Sequence, residues 1–453
     1  MKLSIARIGV QFLCALLLLD PARSHAENLL AVYLKAKKLD PVYTAAGHAL
    51  AAAEEKPPQA KAGLRPVVSL NAARGHQSGP TRFNDAPGED RTARNWNWTL
   101  QLNQPLFRWD RRVGVDLANI QVDMARLQYA QAHDELIVRV AQAYFDVLVA
   151  RRNLTVARHQ VEAISQQLEL ALRNFEVGVT TITDTHEARS RHDLARAQRV
   201  AAESELEVRS AELEKIVGDA PGPLRALPDD AVLPMPQPAD VQSWITQAFD
   251  GNLQVRVQQL TARAADTEID RERAGHAPTL DLTAATGRNF NAGSLSSPTD
   301  IAARYRSTQV GLQLNIPLYA GGGVSSRVRE AVARRDKARS ETDAARRQAI
   351  AAVRQAFVGV VHGHAQIDAL SSAVRSSLSA VNASKIGYKA GTRINIDVLN
   401  AEQQLFATQR DLFKARVDTL MQGLRLKATS GALQTGDVEA ISALLTTQDS
   451  PNP

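Results

Sequence analysis

The sequence has one cysteine, Cys14, and no apolar run long enough to cross a bilayer as a helix. A transmembrane helix needs about 20 apolar residues, and the run from Ile8 to Leu19 falls well short of that. Lys2 and Arg7 stand before it, and Ser24-His25-Ala26 offers a small-x-small cleavage pattern. Residues 1–26 therefore read as a secretory signal peptide. Cys14 lies inside that leader, and Gln11-Phe12-Leu13 lacks the small residue that a lipidation signal places before its cysteine. The exported chain is expected to carry neither disulfides nor a reactive thiolate.

Charge of one sign is also missing. The net charge is +6, but basic and acidic residues are interspersed along helical stretches, which describes a solvated surface and not a nucleic-acid patch. Catalytic groupings are absent too. Gly321-Gly322-Gly323 has no following Lys-Ser/Thr and reads as a strand-to-helix turn instead of a phosphate loop. His362 and His364 are two apart, on opposing faces of a helix, and His186 and His192 are out of register for chelation. No cofactor, metal or enzymatic activity is expected.

Proline is absent between Pro105 and Pro221 and again between Pro317 and Pro451. A helix over 113–175 would be about 95 Å long at 1.5 Å per residue. Its distal part spaces Leu154, Ala157, Val161, Ile164, Leu168, Ala171 and Phe175 at three and four, and the last arm follows the same register with Ile396, Leu399, Phe406, Phe413, Val417, Leu420 and Leu424, interrupted by Gln403 and Arg410. Such spacing predicts coiled-coil pairing between the arms of two helical hairpins.

What is present is present twice. Leu100-Gln101-Leu102-Asn103-Gln104-Pro105-Leu106-Phe107 returns as Leu312-Gln313-Leu314-Asn315-Ile316-Pro317-Leu318-Tyr319. Pro66 and Pro278 keep the same offset, each opening a short alternating segment that ends at Gly75 or Gly287. The turn around Gly178 is matched by the turn around Gly391, and Asp184 by Asp397. These matches divide the exported chain into a first repeat over 27–218 and a second over 252–431. A proline-rich segment over 219–251 and a tail over 432–453 are expected to form an equatorial belt, with short helices over 242–249 and 438–445.

The repeated strands alternate. Trp96, Trp98, Leu100 and Leu102 are separated by Asn or uncharged polar residues, as are Val310, Leu312, Leu314 and Ile316 apart from Gly311. Period two with one apolar and one uncharged polar face is what a lipid-facing, water-lined barrel wall requires. Trp96 and Trp98 suit an aromatic girdle at the membrane surface. The polar, glycine-rich segments 75–94 and 287–306 read as exposed loops at the outer end. Four strands cannot close a barrel, so several copies must share one.

With both strand pairs, both glycine turns and the Pro-Leu-Tyr-Ala-Gly-Gly junction at this spacing, the chain resembles the TolC family of outer-membrane channel-tunnels. The resemblance implies a mixed α and β fold: a homotrimeric outer-membrane barrel, four strands from each chain, continuous with a long coiled-coil tunnel. It also implies partners, namely a periplasmic adaptor and an inner-membrane ABC or proton-driven transporter, with outer-membrane lipid around the barrel. In that family the helical turns close the periplasmic end. The matching positions here are Tyr388, Arg393 and Asp184, with Arg173 where the family's best-known member has glutamine. Of that member's two acidic rings, Asp397 matches the first and Asn400 replaces the second. The expected role is an exit duct for type I secretion or efflux. An exported trimeric coiled-coil structural or surface protein without channel activity is the alternative, and it leaves the alternating strands unexplained.

Overall fold

The computed structural model describes residues 26–84 and 87–446. The signal peptide other than Ala26, together with Cys14 and the last seven residues of the tail, lies outside the described residues. In chain order the elements are α1 (Leu29–Leu39), α2 (Pro41–Glu54), α3 (Lys56–Ala62), β1 (Val67–Thr81), β2 (Glu89–Phe107), α4 (Trp109–Glu176) and α5 (Ile182–Val217). Then come α6 (Val241–Gly251), α7 (Leu253–Arg273), a 3-10 turn (Ala274–His276), β3 (Thr279–Ala292), β4 (Ala303–Asn315), α8 (Gly323–Lys389), α9 (Asn395–Ser430) and α10 (Thr435–Leu444). The two proline-free stretches become helices of 68 and 67 residues, each followed by a helix of 36. No helix among the described residues is long and apolar enough to cross a membrane.

The chain divides into two compact units, one of residues 46–129 and 253–347, the other of residues up to 45, 130–252 and from 348 onward. The first unit holds an antiparallel sheet in the order β1-β2-β3-β4. Its strands run further than their apolar segments. Pairing continues through Gly75 to Thr81↔Glu89 and through Gly287 to Asn291↔Ala303. The segments 75–94 and 287–306 are therefore mostly strand, correcting the loop reading, and the connections are only 82–88 and 293–302. Polar and glycine residues end an apolar pattern without ending a hydrogen-bonded ladder. Ile316 falls just outside β4, because pairing stops at Thr279↔Asn315. Its next partner would be Pro278, which has no N–H to offer. In the same unit, α8 buries Val324, Ala331 and Ala338 at seven-residue intervals. Thr342 donates its hydroxyl to the Gln258 carbonyl of α7 at 3.1 Å.

The second unit has the larger core. Leu29, Val32, Tyr33 and Ala36 of α1, Leu136, Ile137, Val140 and Phe145 of α4, and Leu213 and Val217 of α5 are all buried. Trp244, Ile245 and Ala248 of α6 pack with Val353, Ala356 and Leu426. Asp240 starts α6. The N–H groups of Gln242 and Ser243 and the Ser243 hydroxyl hold its carboxyl below the usual carboxylate range. That cap is complete at neutral pH and is lost as pH falls through the lowered pKa.

The proline-rich segment is fastened and not loose. Leu224 bridges Glu27 in parallel, and Ala226 bridges Thr446 antiparallel. The buried hydroxyl of Tyr144 donates to the carbonyls of Arg225 at 2.7 Å and Glu27 at 3.1 Å. Burial pushes this phenol well above its ordinary pKa, so it stays a donor throughout the physiological range. Replacing Tyr144 with Phe should cost about 1–2 kcal/mol, read as a lower urea midpoint. An unchanged midpoint would show that the main-chain bridges alone hold the segment.

Candidate functional site

Cross-strand partners share a face of a sheet, so the register sorts the side chains of the wall. One face carries Leu70 opposite Leu100, Leu102 between Val68 and Ala284, Leu282 opposite Leu312 and Leu280 opposite Leu314. The other carries Ser69 opposite Gln101, Asn71 opposite Thr99, and Asn103 between Val67 and Thr283. The apolar face is bare: Leu70 is 66%, Val310 71% and Leu312 67% exposed. A contiguous apolar surface of this kind marks contact with a partner or a lipid. On the polar face the carboxylate of Asp281 is nearly buried and is held bidentately by Arg108, at 3.1 and 2.6 Å. The hydrogen bond to Asp281 raises the Arg108 pKa.

The two helical turns lie in the other unit. Both reverse through a glycine in the left-handed region, Gly178 at φ 74° and Gly391 at φ 72°, where a side chain would be strained. The helices they join are zipped by Ile164, Ala195 and Leu399, with Val161 beside them. Asp184 closes a capping box: it accepts from the Thr181 N–H at 3.1 Å and hydroxyl at 3.0 Å, and its own N–H returns to that hydroxyl at 3.3 Å. Asp397 has less to hold. Ile394 has no side-chain acceptor, so only its N–H reaches Asp397, at 3.4 Å, with Arg393 3.7 Å away.

Within one chain Arg393 and Asp397 pair with each other, and the other matched gate residues find separate partners. Tyr388 accepts from the Asn174 amide at 3.0 Å, linking the ends of α8 and α4. Arg173 turns to Glu169 on its own helix. Asn400 accepts from Arg191 of α5 at 3.3 Å, and the same guanidinium donates to Gln403 at 2.7 Å and to Glu187 at 2.9 Å. An acid at position 400 would pair with this arginine; the amide leaves the site less charged.

The comparisons agree with this geometry. A family model described as "Outer membrane efflux protein" matches the chain twice, over residues 32–219 and 244–432. The chain belongs to the outer membrane efflux protein family. It is 31% identical to outer membrane protein TolC of Escherichia coli (strain K12), covering 95% of this chain and 87% of that one. It is equally similar, at 31%, to the alkaline protease secretion protein AprF of Pseudomonas aeruginosa, over 99% and 94%. Among solved structures, the outer membrane channel CmeC of Campylobacter jejuni shares the fold with a TM-score of 0.76 at 17% identity, over 93% of this chain and 90% of that chain. The sheet with its two faces and the paired helical hairpins are thus those of an outer-membrane export channel, and the protein is placed in the outer membrane.

Several members of the turn region carry no sequence motif. Asn174 and Arg191 act through contacts between repeats. Lys385 of α8 reaches Glu402 of α9 at 2.8 Å, and the Glu402 side chain is only 4% exposed, with Oε2 lacking a hydrogen-bond partner among the described residues. Lys385 and Glu402 stand within a few helical turns on either side of the 390–394 turn, with opposite charges, which is the one signal that could have revealed them. Lys385→Met should strand the Glu402 charge and cost about 2 kcal/mol or more. That is less than the 3–5 of a fully buried pair, since Lys385 is half in water. Pairing it with Glu402→Leu should restore most of the loss in a thermal melt. A double variant as weak as the single one would show that the ion pair is not the cause.

Proposed function

We propose that this chain is the outer-membrane exit duct of a tripartite export system and that it works as a homotrimer. The observation that carries the trimer is the sheet itself, in which β1 and β4 are both edges. A strand edge in lipid leaves main-chain N–H and C=O groups without partners, each at a cost of several kcal/mol. Three copies would join edge to edge into a barrel of about twelve strands. The apolar face then meets lipid, the polar face lines water, and the long helices continue the wall as a tunnel. Each repeat, 27–218 and 252–431, would supply one strand pair and one helical hairpin, while 219–251 and the described part of the 432–453 tail, up to Thr446, would brace the helices.

A duct needs a motor elsewhere. The sequence holds no nucleotide motif, so transport energy would come from an inner-membrane transporter joined through a periplasmic adaptor, and this chain would conduct without catalysing. The names of AprF and of PrtF of Dickeya chrysanthemi, a "Proteases secretion protein", support protein cargo, and type I secretion is the form of export we favour.

The turns would form the inner gate. Three copies of Asp397 around one axis would make an acidic ring and favour cations, with Asn400 contributing no second ring. Tyr388, Arg393, Asp184 and Arg173 would hold the hairpins in the closed arrangement. The test is single-channel current in planar bilayers with a trivalent cation added on the periplasmic side. A detergent-stable trimer with conductance is expected, and Asp397→Ala should weaken both selectivity and block by about tenfold while the trimer persists. Unchanged selectivity and block would leave Asp397 as a helix-start residue only.

The facing of the wall has its own test. Arginine in place of Leu314 should impair membrane assembly by up to about 2–4 kcal/mol, depending on depth. Arginine in place of Gln313 should leave assembly intact and shift ion selectivity towards anions. Identical behaviour of the two variants would overturn the facing.

A further inference from the structure

The apolar face of the sheet does not stay apolar. Towards the 82–88 and 293–302 connections, the end remote from the strand-to-helix junctions, the register brings arginines onto the same face as Leu70, Leu100 and Leu312. Arg288 stands directly opposite Arg306. In the next row Arg74, Trp96, Phe290 and Arg304 follow one another across all four strands. One row further, Arg94 lies between His76 and Ala292. All five guanidiniums line one recess of about 910 Å³.

This cluster has no internal counter-charge. None of the five arginines makes an ion pair or hydrogen bond among the described residues; Arg304 lies over the Phe290 ring at 5.0 Å and does nothing else. By contrast Arg91, on the other face, is taken up by Asp300 at 2.7 Å and the Ser297 carbonyl at 2.8 Å. On the arginine face no carboxylate follows until Asp90, four residues beyond Arg94. Like charges directly across a strand pair destabilise it, and cations on a lipid-facing wall are costly at the midplane and tolerated only near the interface. Trp96, Trp98 and Phe290 mark that interface level, as aromatic girdles do. An anion from outside the protein filling the recess would offset both costs.

We propose that these five arginines form a binding site for the phosphorylated glycolipid of the outer leaflet, the lipid A headgroup of lipopolysaccharide. The chemistry is specific in three respects. The basic groups are all arginine, with no lysine in any of the four strands, and a guanidinium grips a phosphate with two parallel hydrogen bonds where an ammonium gives a point charge. The cluster sits at the end of the wall away from the helices, the level of the outer leaflet. The acyl chains below a bound headgroup would lie along Leu70, Leu100, Val310 and Leu312. The site rests on the reading that the apolar face meets lipid.

The test uses the purified full-length trimer in detergent and in vesicles, with lipid A, enzymatically dephosphorylated lipid A, and the neutral detergent alone. Lipid A should bind measurably by native mass spectrometry and raise the melting temperature, and the dephosphorylated form should bind about tenfold more weakly or not at all. Because that comparison needs no substitution, it stands even if a variant fails to assemble. The Arg288→Gln/Arg304→Gln/Arg306→Gln variant should lose this preference by about tenfold while trimer formation and conductance persist. Replacing the same three with Lys should recover only part of the binding. Equal binding of both lipids by the unaltered trimer would overturn the site, as would full retention of the preference by the glutamine variant. A glutamine variant with altered ion selectivity and unaltered lipid binding would place the arginines in the lumen, overturning the facing as well. Absence of a trimer or of conductance in the unaltered protein would instead strike at the channel reading itself.

Discussion

The rest of the structure depends on one constraint: inside a bilayer every main-chain N–H and C=O must find a partner in protein. In this chain the strands of the sheet are the elements whose main-chain groups pair in a way that meets that demand. The four strands satisfy each other across three interfaces and leave two edges, and in the proposed trimer other copies would satisfy those edges. The side-chain pattern follows from the same requirement. Period two gives one face for hydrocarbon and one for water, and the water face uses Asn, Gln, Ser and Thr, which hydrate a wall without imposing a strong field. The one acid in the interior of that face, Asp281, is neutralised in place by Arg108.

The helical part answers a different problem, that of holding very long helices side by side without a thick core. Small residues at heptad spacing, such as Ala331 and Ala338, bring backbones close. Near the turns, polar links between helices join the apolar packing: Asn174 to Tyr388, Arg191 to Asn400 and Gln403, Lys385 to Glu402. Contacts of this kind have short range and defined geometry. They hold one arrangement firmly and release it when helices slide by a fraction of a turn, which would suit the gate proposed for these turns.

Much of this was legible before any coordinates. The repeat, the alternation and the proline-free stretches each report a local physical rule, and they located the strand pairs, both hairpins and both glycine turns. The extent of the strands was not legible, because beyond Gly75 and Gly287 the residues are those of loops, while ladder pairing asks only for a backbone and a partner. Ile316 was misplaced for the reverse reason: it looks like strand, but the residue opposite is a proline. The links of the turn region escaped because Asn174 and Arg191 bond to residues of the other repeat, and Lys385 meets Glu402 only once the 390–394 turn folds α9 back along α8. The arginine face was hidden in the same way, since Arg74, Arg94, Arg288, Arg304 and Arg306 form a cluster only after two hairpins are set in register.

The two hairpins repeat one pattern, and their helix starts differ in one capping side chain. Thr181 supplies a hydroxyl to begin α5; Ile394, in the equivalent place before α9, supplies none, and an N-cap of that kind contributes about 1 kcal/mol. One arm of the molecule is thus latched at its root and its twin is not. Duplication allows such a division of labour, because a lost latch in one copy is covered by the stiffness of the other. Under a pull on both turns, α9 would be first to fray from its N-terminal end, and the fraying would begin at the residue pair Arg393 and Asp397.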